Sequence, residues 1–182
     1  LVAKADQWIR INQLGYLPQS IKVAVFISEE PAQVTDFEVV DATTGKTVKK
    51  LQNVKATGKY GTMNSTYRLN FTDFETSGKY YLKAGEAKSP VFPINPSVYD
   101  GTADFLLNYM RQQRCGYNPH IQDSCHTHDG YILYHPTKTG QHIDVTGGWH
   151  DATDYLQYTT TSANAIYQMM FAYQQNPQAF KD

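Results

Sequence analysis

The period of the apolar residues changes once along the chain, near Pro93 and Pro96, and that change separates two kinds of folding unit. Before it, short apolar runs recur between clusters of Gly, Pro, Asn and Ser: Ile9 to Asn12, Ile21 to Ile27, Phe37 to Val40, Lys46 to Leu51, Thr66 to Phe71, Lys79 to Ala84 and Val91 to Ile94. Seven such runs at this spacing predict the strands of a small β-sandwich. Ile21 to Ile27 is apolar enough for a buried strand, and Asp41 to Gly45 is a turn-rich cluster. No cysteine falls in this half, so the sandwich lacks an antibody-type disulfide. After Pro96 the spacing becomes helical. Phe105, Leu106, Tyr109 and Met110 predict an amphipathic helix within Val98 to Gln113. Leu156, Ala163, Tyr167, Met170 and Phe171 predict a second, ended by Asn176-Pro177. Two helices and the long irregular stretch between them bury little core, so residues 96–182 read as an unfinished unit behind a β-domain of residues 1–95.

A formal net charge of -1 and a pI near 6.6 give no electrostatic reason for nucleic acid or an anionic membrane as partner. No stretch approaches the roughly 18 apolar residues of a membrane span, so the chain is expected to be soluble. It begins at Leu1 without a signal-peptide pattern, as a processed secretory protein or a trimmed one would. Aromatic residues make up 13%, which suits either sugar-stacking surfaces or ordinary core packing.

All six His and both Cys lie between residues 114 and 150. The segment Asp144 to Tyr155 is the most informative in the chain. Asp151 and Asp154 stand three apart at the apparent start of the second helix, a spacing that puts them on one face. The positive end of a helix would favour their ionised form, fitting a general base or an electrostatic stabiliser better than a general acid. The alternative is a helix cap, with Gly147-Gly148 forming a turn. Cys115, Cys125, His126 and His150 make a complete tetrahedral zinc set, and such a closed set would be structural. A Cys115–Cys125 disulfide, or histidines that are ordinary loop residues, are the competing readings. His128 has no assigned role.

The sequence resembles glycoside hydrolase family 9, in the subgroup with an N-terminal immunoglobulin-like domain. The resemblance rests on Ile9-Arg10-Ile11-Asn12-Gln13-Leu14-Gly15-Tyr16, on Ser77-Gly78-Lys79-Tyr80-Tyr81-Leu82 with Ser89-Pro90-Val91-Phe92, and above all on Gly147-Gly148-Trp149-His150-Asp151-Ala152-Thr153-Asp154-Tyr155, which is similar to the family's catalytic aspartate segment. It implies an all-β immunoglobulin-like sandwich followed by the first helices of an all-α (α/α)6-barrel catalytic domain, incomplete here. It implies inverting hydrolysis of β-1,4-glucans by a secreted, periplasmic or cell-surface enzyme, with Asp154 as base and Asp151 helping to hold the attacking water. It implies a structural zinc on Cys115, Cys125, His126 and His150, where His150 braces the backbone beside Asp151. Trp149 and Tyr155 would flank a sugar subsite or serve the core.

The family's general acid is a distant Glu. The glutamates here, Glu29, Glu30, Glu38, Glu75 and Glu86, all lie in the β-half, so these 182 residues are expected to be inactive alone. Thr153 stands where the family commonly has Gly, which restricts the backbone before Asp154. A barrel cut short would expose Phe105, Met110, Met170 and Phe171 and favour self-association. The rival reading is a non-catalytic β-sandwich that binds glycan or braces a neighbouring domain.

Overall fold

The computed structural model describes residues 6–181; the outermost residues of the two expected domains, 1–5 and 182, lie outside that range. The chain divides into two compact units, Leu1–Tyr99 and Asp100–Asp182.

The first unit is a two-sheet sandwich. One sheet has the order β1 (Gln7–Arg10), β2 (Val23–Ser28), β6 (Met63–Asn70), β5 (Val54–Tyr60). The other runs β4 (Thr47–Leu51), β3 (Phe37–Asp41), β7 (Gly78–Ala84), β8 (Ala87–Lys88), with β9 (Phe92–Ile94) also paired to β7. All the strand pairs are antiparallel. Alternation fixes the register, because a slip of one residue would turn each apolar set outward. In β2, Ala24 and Phe26 face the core while Val25, 39% exposed, faces out. Phe26, Phe37, Val39, Leu69, Phe71 and Leu82 are buried to 1% exposure or less. Burying each of these larger apolar side chains contributes about 1.5–3 kcal/mol.

All seven predicted strands form, within one to three residues of their expected ends. Two further strands were invisible to periodicity. β5 reads Val-Lys-Ala-Thr-Gly-Lys-Tyr, is exposed along most of its length, and pairs with β6 through two register shifts. An edge strand with bulges has no buried face to write an apolar alternation into its sequence. β8 is only two residues long.

The Asn12 to Tyr16 segment is a structural knot. Asn12 Nδ2 donates to the Gly15 carbonyl at 2.9 Å, and the Asn12 amide donates to the Tyr16 hydroxyl at 3.0 Å. Gly15 has φ +108°, and a Cβ there would stand 2.4 Å from the Pro93 carbonyl oxygen. Only glycine lets this loop lie against β9. The Tyr16 ring then meets Phe71 and Phe92 edge-on, with centroids 5.2 and 5.5 Å away.

In the second unit, α1 spans Thr102–Gln112, a short β10–β11 hairpin joins Tyr117–Asn118 to Asp123–Ser124, and α2 spans Thr159–Gln175 before a single 3-10 turn at Pro177–Ala179. Asp104 in the first turn and Arg111 in the last turn of α1 complement the helix dipole. Neither helix has a buried residue among those described. Phe105, Met170 and Phe171 are 75%, 68% and 46% exposed, while Met110 is half-buried. The predicted second helix was placed too early: Leu156 precedes α2 by three residues.

Candidate metal centre and carboxylate segment

Two local pairings bring distant residues together. Residues 113–115 run antiparallel to 148–150. The Cys115 amide donates to the Gly148 carbonyl at 3.0 Å, and the His150 amide donates to the Gln113 carbonyl at 2.9 Å. Gly148 has φ +66°, and a Cβ on it would meet Ser162 Oγ at 2.8 Å. The β10–β11 hairpin then folds the chain back, so that the Cys125 amide donates to the Gly116 carbonyl at 3.2 Å. His126 follows directly, with a left-handed φ of +57°.

The result is a single cluster. One ligand atom from each of Cys115, Cys125, His126 and His150 lies within 4.8 Å of the other three. Cys125 Sγ is 3.3 Å from His150 Nε2, and the two imidazole centroids are 5.5 Å apart. Both cysteines are free, so the alternative Cys115–Cys125 disulfide is not formed.

Burial and mutual contacts shift the titratable groups of this cluster. Burial pushes the Cys115 thiol above its ordinary pKa, and the neighbouring Cys125 adds to the rise. The backbone at Gly147 and the side chain of Gln157 oppose it by stabilising the thiolate. Gln157 Nε2 is itself buried without a partner that meets hydrogen-bond geometry, a donor suited to an anionic sulfur nearby. Burial, and then the nearby His126, lower the His150 pKa and keep its imidazole neutral, the form that ligates metal. Two thiols and two imidazoles, preassembled around one point and supported by donors to sulfur, fit a divalent metal ion of the soft-to-borderline kind.

His126 carries two more contacts. Its Nδ1 lies 2.5 Å from Asp129 Oδ2, and its Nε2 lies 2.9 Å from the Tyr155 carbonyl oxygen. Both partners are acceptors, so they favour the doubly protonated ring; the pKa is raised, by Asp129 above all. Asp129 and Gln157 were not singled out from the sequence. A carboxylate three residues beyond a ligand histidine was the available signal for Asp129. Gln157 gave none, because its burial depends on the loop described next.

That loop is the carboxylate segment. The expected helical placement of Asp151 and Asp154 is overturned. Residues 151–158 are not helical, α2 begins at Thr159, and the two aspartates neither share a helix face nor sit in a helix's first turn. The segment is instead a narrow loop pinched at its base. His150 bridges Gln157, the Asp151 amide donates to the Leu156 carbonyl at 2.8 Å, and the Leu156 amide donates to Asp154 Oδ1 at 3.3 Å. Neither aspartate caps a helix either, since the residue before α2 is Tyr158, and Gly148 takes part in the strand-like pairing. Both carboxylates are exposed. The strained φ falls on Tyr155, at +63°, and Thr153 is accommodated at negative φ.

Trp149 donates from Nε1 to the Met110 carbonyl at 2.9 Å and has the Arg114 guanidinium 5.5 Å from its ring centre. It is half-buried. Tyr155 packs on His150 with centroids 4.5 Å apart yet remains 48% exposed. His128 is an exposed loop residue between His126 and Asp129.

Known proteins give this geometry a setting. The cellulase N-terminal ig-like domain family matches residues 4–89, and glycosyl hydrolase family 9 matches residues 99–182. A xyloglucan-specific endo-beta-1,4-glucanase of Bacteroides ovatus is 33% identical over 91% of this chain, which spans 30% of that relative's length. The crystal structure of a metagenome-derived glycoside hydrolase family 9 endoglucanase superposes with a TM-score of 0.76 at 31% identity, over 97% of this chain and 35% of that one. A Zn-binding triple mutant of a family 9 endoglucanase superposes with a TM-score of 0.74 at 29% identity, over 88% of this chain and 31% of that one. The sandwich is thus the immunoglobulin-like domain, and the helical unit holds the first helices of an incomplete (α/α)6 barrel. Residues 99–182 thus belong to glycosyl hydrolase family 9, and residues 4–89 before them to the cellulase N-terminal ig-like domain.

Proposed function

We propose that this chain is part of an inverting hydrolase of β-1,4-glucosidic bonds in cellulose or related β-glucans. The observation that carries the reading is the pinched loop at 150–157, which presents Asp151 and Asp154 to solvent while its first residue, His150, is buried beside the two cysteines. Asp154 acts as the base that takes a proton from water, and Asp151 orients that water. An inverting reaction also needs a carboxylic acid on the far side of the glycosidic oxygen, with about 6.5–9.5 Å between the two carboxyl groups. Residues 100–182 contain no glutamate, so the acid is assigned to another part of a longer protein, and the 182 residues alone are expected to release little or no sugar.

Zinc is the proposed occupant of Cys115, Cys125, His126 and His150, holding the backbone on which Asp151 and Asp154 stand; its role there is structural. Tyr155, with nearly half its surface open, and the half-buried Trp149 are proposed to flank a sugar subsite. The proposed division is a sandwich domain of residues 1–95 and a catalytic part of residues 96–182. The proposed location is outside the cytoplasm, where polymeric glucans are met. Among the described residues no helix is long and apolar enough to cross a membrane.

The stereochemistry of the products tests this reading. The chain extended to the length of its relatives, acting on a soluble β-1,4-glucan, should release sugars whose new reducing ends are first seen by proton NMR as the α-anomer. Release of the β-anomer would reject the inverting assignment.

A second reading is favoured by one feature. The outer face of β2, β5 and β6 holds an open groove of about 800 Å³, bordered by Val25, Ile27, Lys59, Arg68 and a Tyr60 that is 80% exposed. If the sandwich binds glycan itself, residues 1–95 should retain glucan affinity and lose it on Tyr60→Ala.

A further inference from the structure

We propose that Asp129 is the positioning residue of the metal centre: by accepting a hydrogen bond from His126 Nδ1 it fixes the ring and leaves Nε2 as the nitrogen that would hold a metal. The inference rests on the reading of Cys115, Cys125, His126 and His150 as a metal site, and it concerns residues outside that set.

The geometry leaves few alternatives. An imidazole has two nitrogens, and a ligating histidine usually passes the other one's proton to a carboxylate or carbonyl, which fixes both tautomer and ring rotation. Here Asp129 Oδ2 stands 2.5 Å from Nδ1, three residues along the same loop. That short loop separation lets the carboxylate follow the ring without rearranging the unit. With Nδ1 engaged, Nε2 is the nitrogen that would be left for a metal; it lies 2.9 Å from the Tyr155 carbonyl oxygen. Tyr155 directly follows Asp154 and sits at φ +63°, so its backbone depends on outside contacts to hold it. Two of them are visible: the His126 bond to its carbonyl and the packing of its ring on His150. A metal held by His126 would thus lie beside a contact of the residue that follows Asp154.

The test uses the 182-residue chain and zinc alone. Zinc affinity is measured by competition with a chromophoric chelator for the wild type, Asp129→Asn, Asp129→Ala and Asp129→Glu. Ring 15N spectra of the zinc-loaded wild type report which His126 nitrogen carries the proton. The expected result is a 10–100-fold loss of affinity in the Asn and Ala variants, partial recovery with Glu, and a proton on Nδ1 with Nε2 bound to metal. The Tyr155 carbonyl 13C shift should move on loading. Zinc affinity of Asp129→Asn within twofold of the wild type, or a proton on Nε2 in the loaded protein, would overturn the proposal. A wild type that takes up no zinc would instead overturn the metal reading on which it rests. Asp129→Asn preserves side-chain size, so it keeps the test decisive if Asp129→Ala does not fold.

Discussion

His126 Nε2 donates a hydrogen bond of 2.9 Å to the carbonyl of Tyr155, joining the cysteine–histidine cluster to the residue that follows Asp154. The two constellations read separately from the sequence are therefore one structure. His150 belongs to both, as a member of the cluster and as the first residue of the carboxylate loop. The cluster gathers three backbone segments, residues 113–116, 125–126 and 147–150, none of which belongs to a long regular element. Such segments have few other contacts to hold them, so an ion that ties them together should matter to stability as well as to placement.

Zinc removal is the first prediction. At a free concentration about 1,000 times the dissociation constant, a bound ion stabilises the folded state by about 4 kcal/mol. For a unit the size of Asp100–Asp182 that corresponds to roughly 16–32 °C in melting temperature. Stripping the protein with a strong chelator should lower the melting temperature of the helical unit by about that much, and added zinc should restore it. Cys115→Ser should remove the effect of zinc. Identical melting curves with and without metal, followed by circular dichroism, would speak against a structural ion.

Gly148→Ala should loosen the same region by a different route. The substitution places a side chain at φ +66° and a Cβ 2.8 Å from Ser162 Oγ. A cost of about 1–3 kcal/mol is expected for the backbone. Because Gly148 sits between Cys115 and His150 in the strand-like pairing, zinc affinity should fall with stability. A variant with wild-type zinc affinity and unchanged denaturation would show that this loop tolerates the change.

The sandwich offers a contrast between a buried and an exposed position. Phe71→Ala removes a ring that is 0% exposed and packed against Tyr16 and Phe92. It should destabilise the β-unit by about 3–5 kcal/mol in urea denaturation. Val25→Ala, on the outer face, should change stability by no more than about 0.5 kcal/mol. Similar effects at both positions would contradict the inward placement of Phe71 and the outward placement of Val25.

Much of the β-unit was legible because a strand with one buried face writes an alternation into its sequence. Phe26 and Leu69 announce their strands in this way, whereas β5, an exposed edge, had no such face. The ligand cluster was legible as residue types but not as geometry. Cys115 and His150 are 35 positions apart, and only the pairing of residues 113–115 with 148–150 brings them together. The helical placement of Asp151 and Asp154 failed because Gly147-Gly148 and the turn at Ala152 to Tyr155 support a loop, with its last contact supplied by His126 from elsewhere in the unit. Spacing of three residues cannot distinguish a helix face from a narrow loop. The exposure of Phe105 and Met170 could not be read from periodicity either, since an amphipathic stripe records that a face is to be covered, not by what.

The most direct test of the hydrolase account is the turnover of a soluble β-1,4-glucan by the chain extended to its relatives' length, compared with the same protein carrying Asp154→Asn. The substitution keeps the shape of the loop and the acceptor for the Leu156 amide while removing the base. The account predicts a fall in kcat of about 10²–10⁴-fold with little change in melting temperature or zinc content. Turnover in the Asp154→Asn protein equal to that of the unaltered one would contradict it.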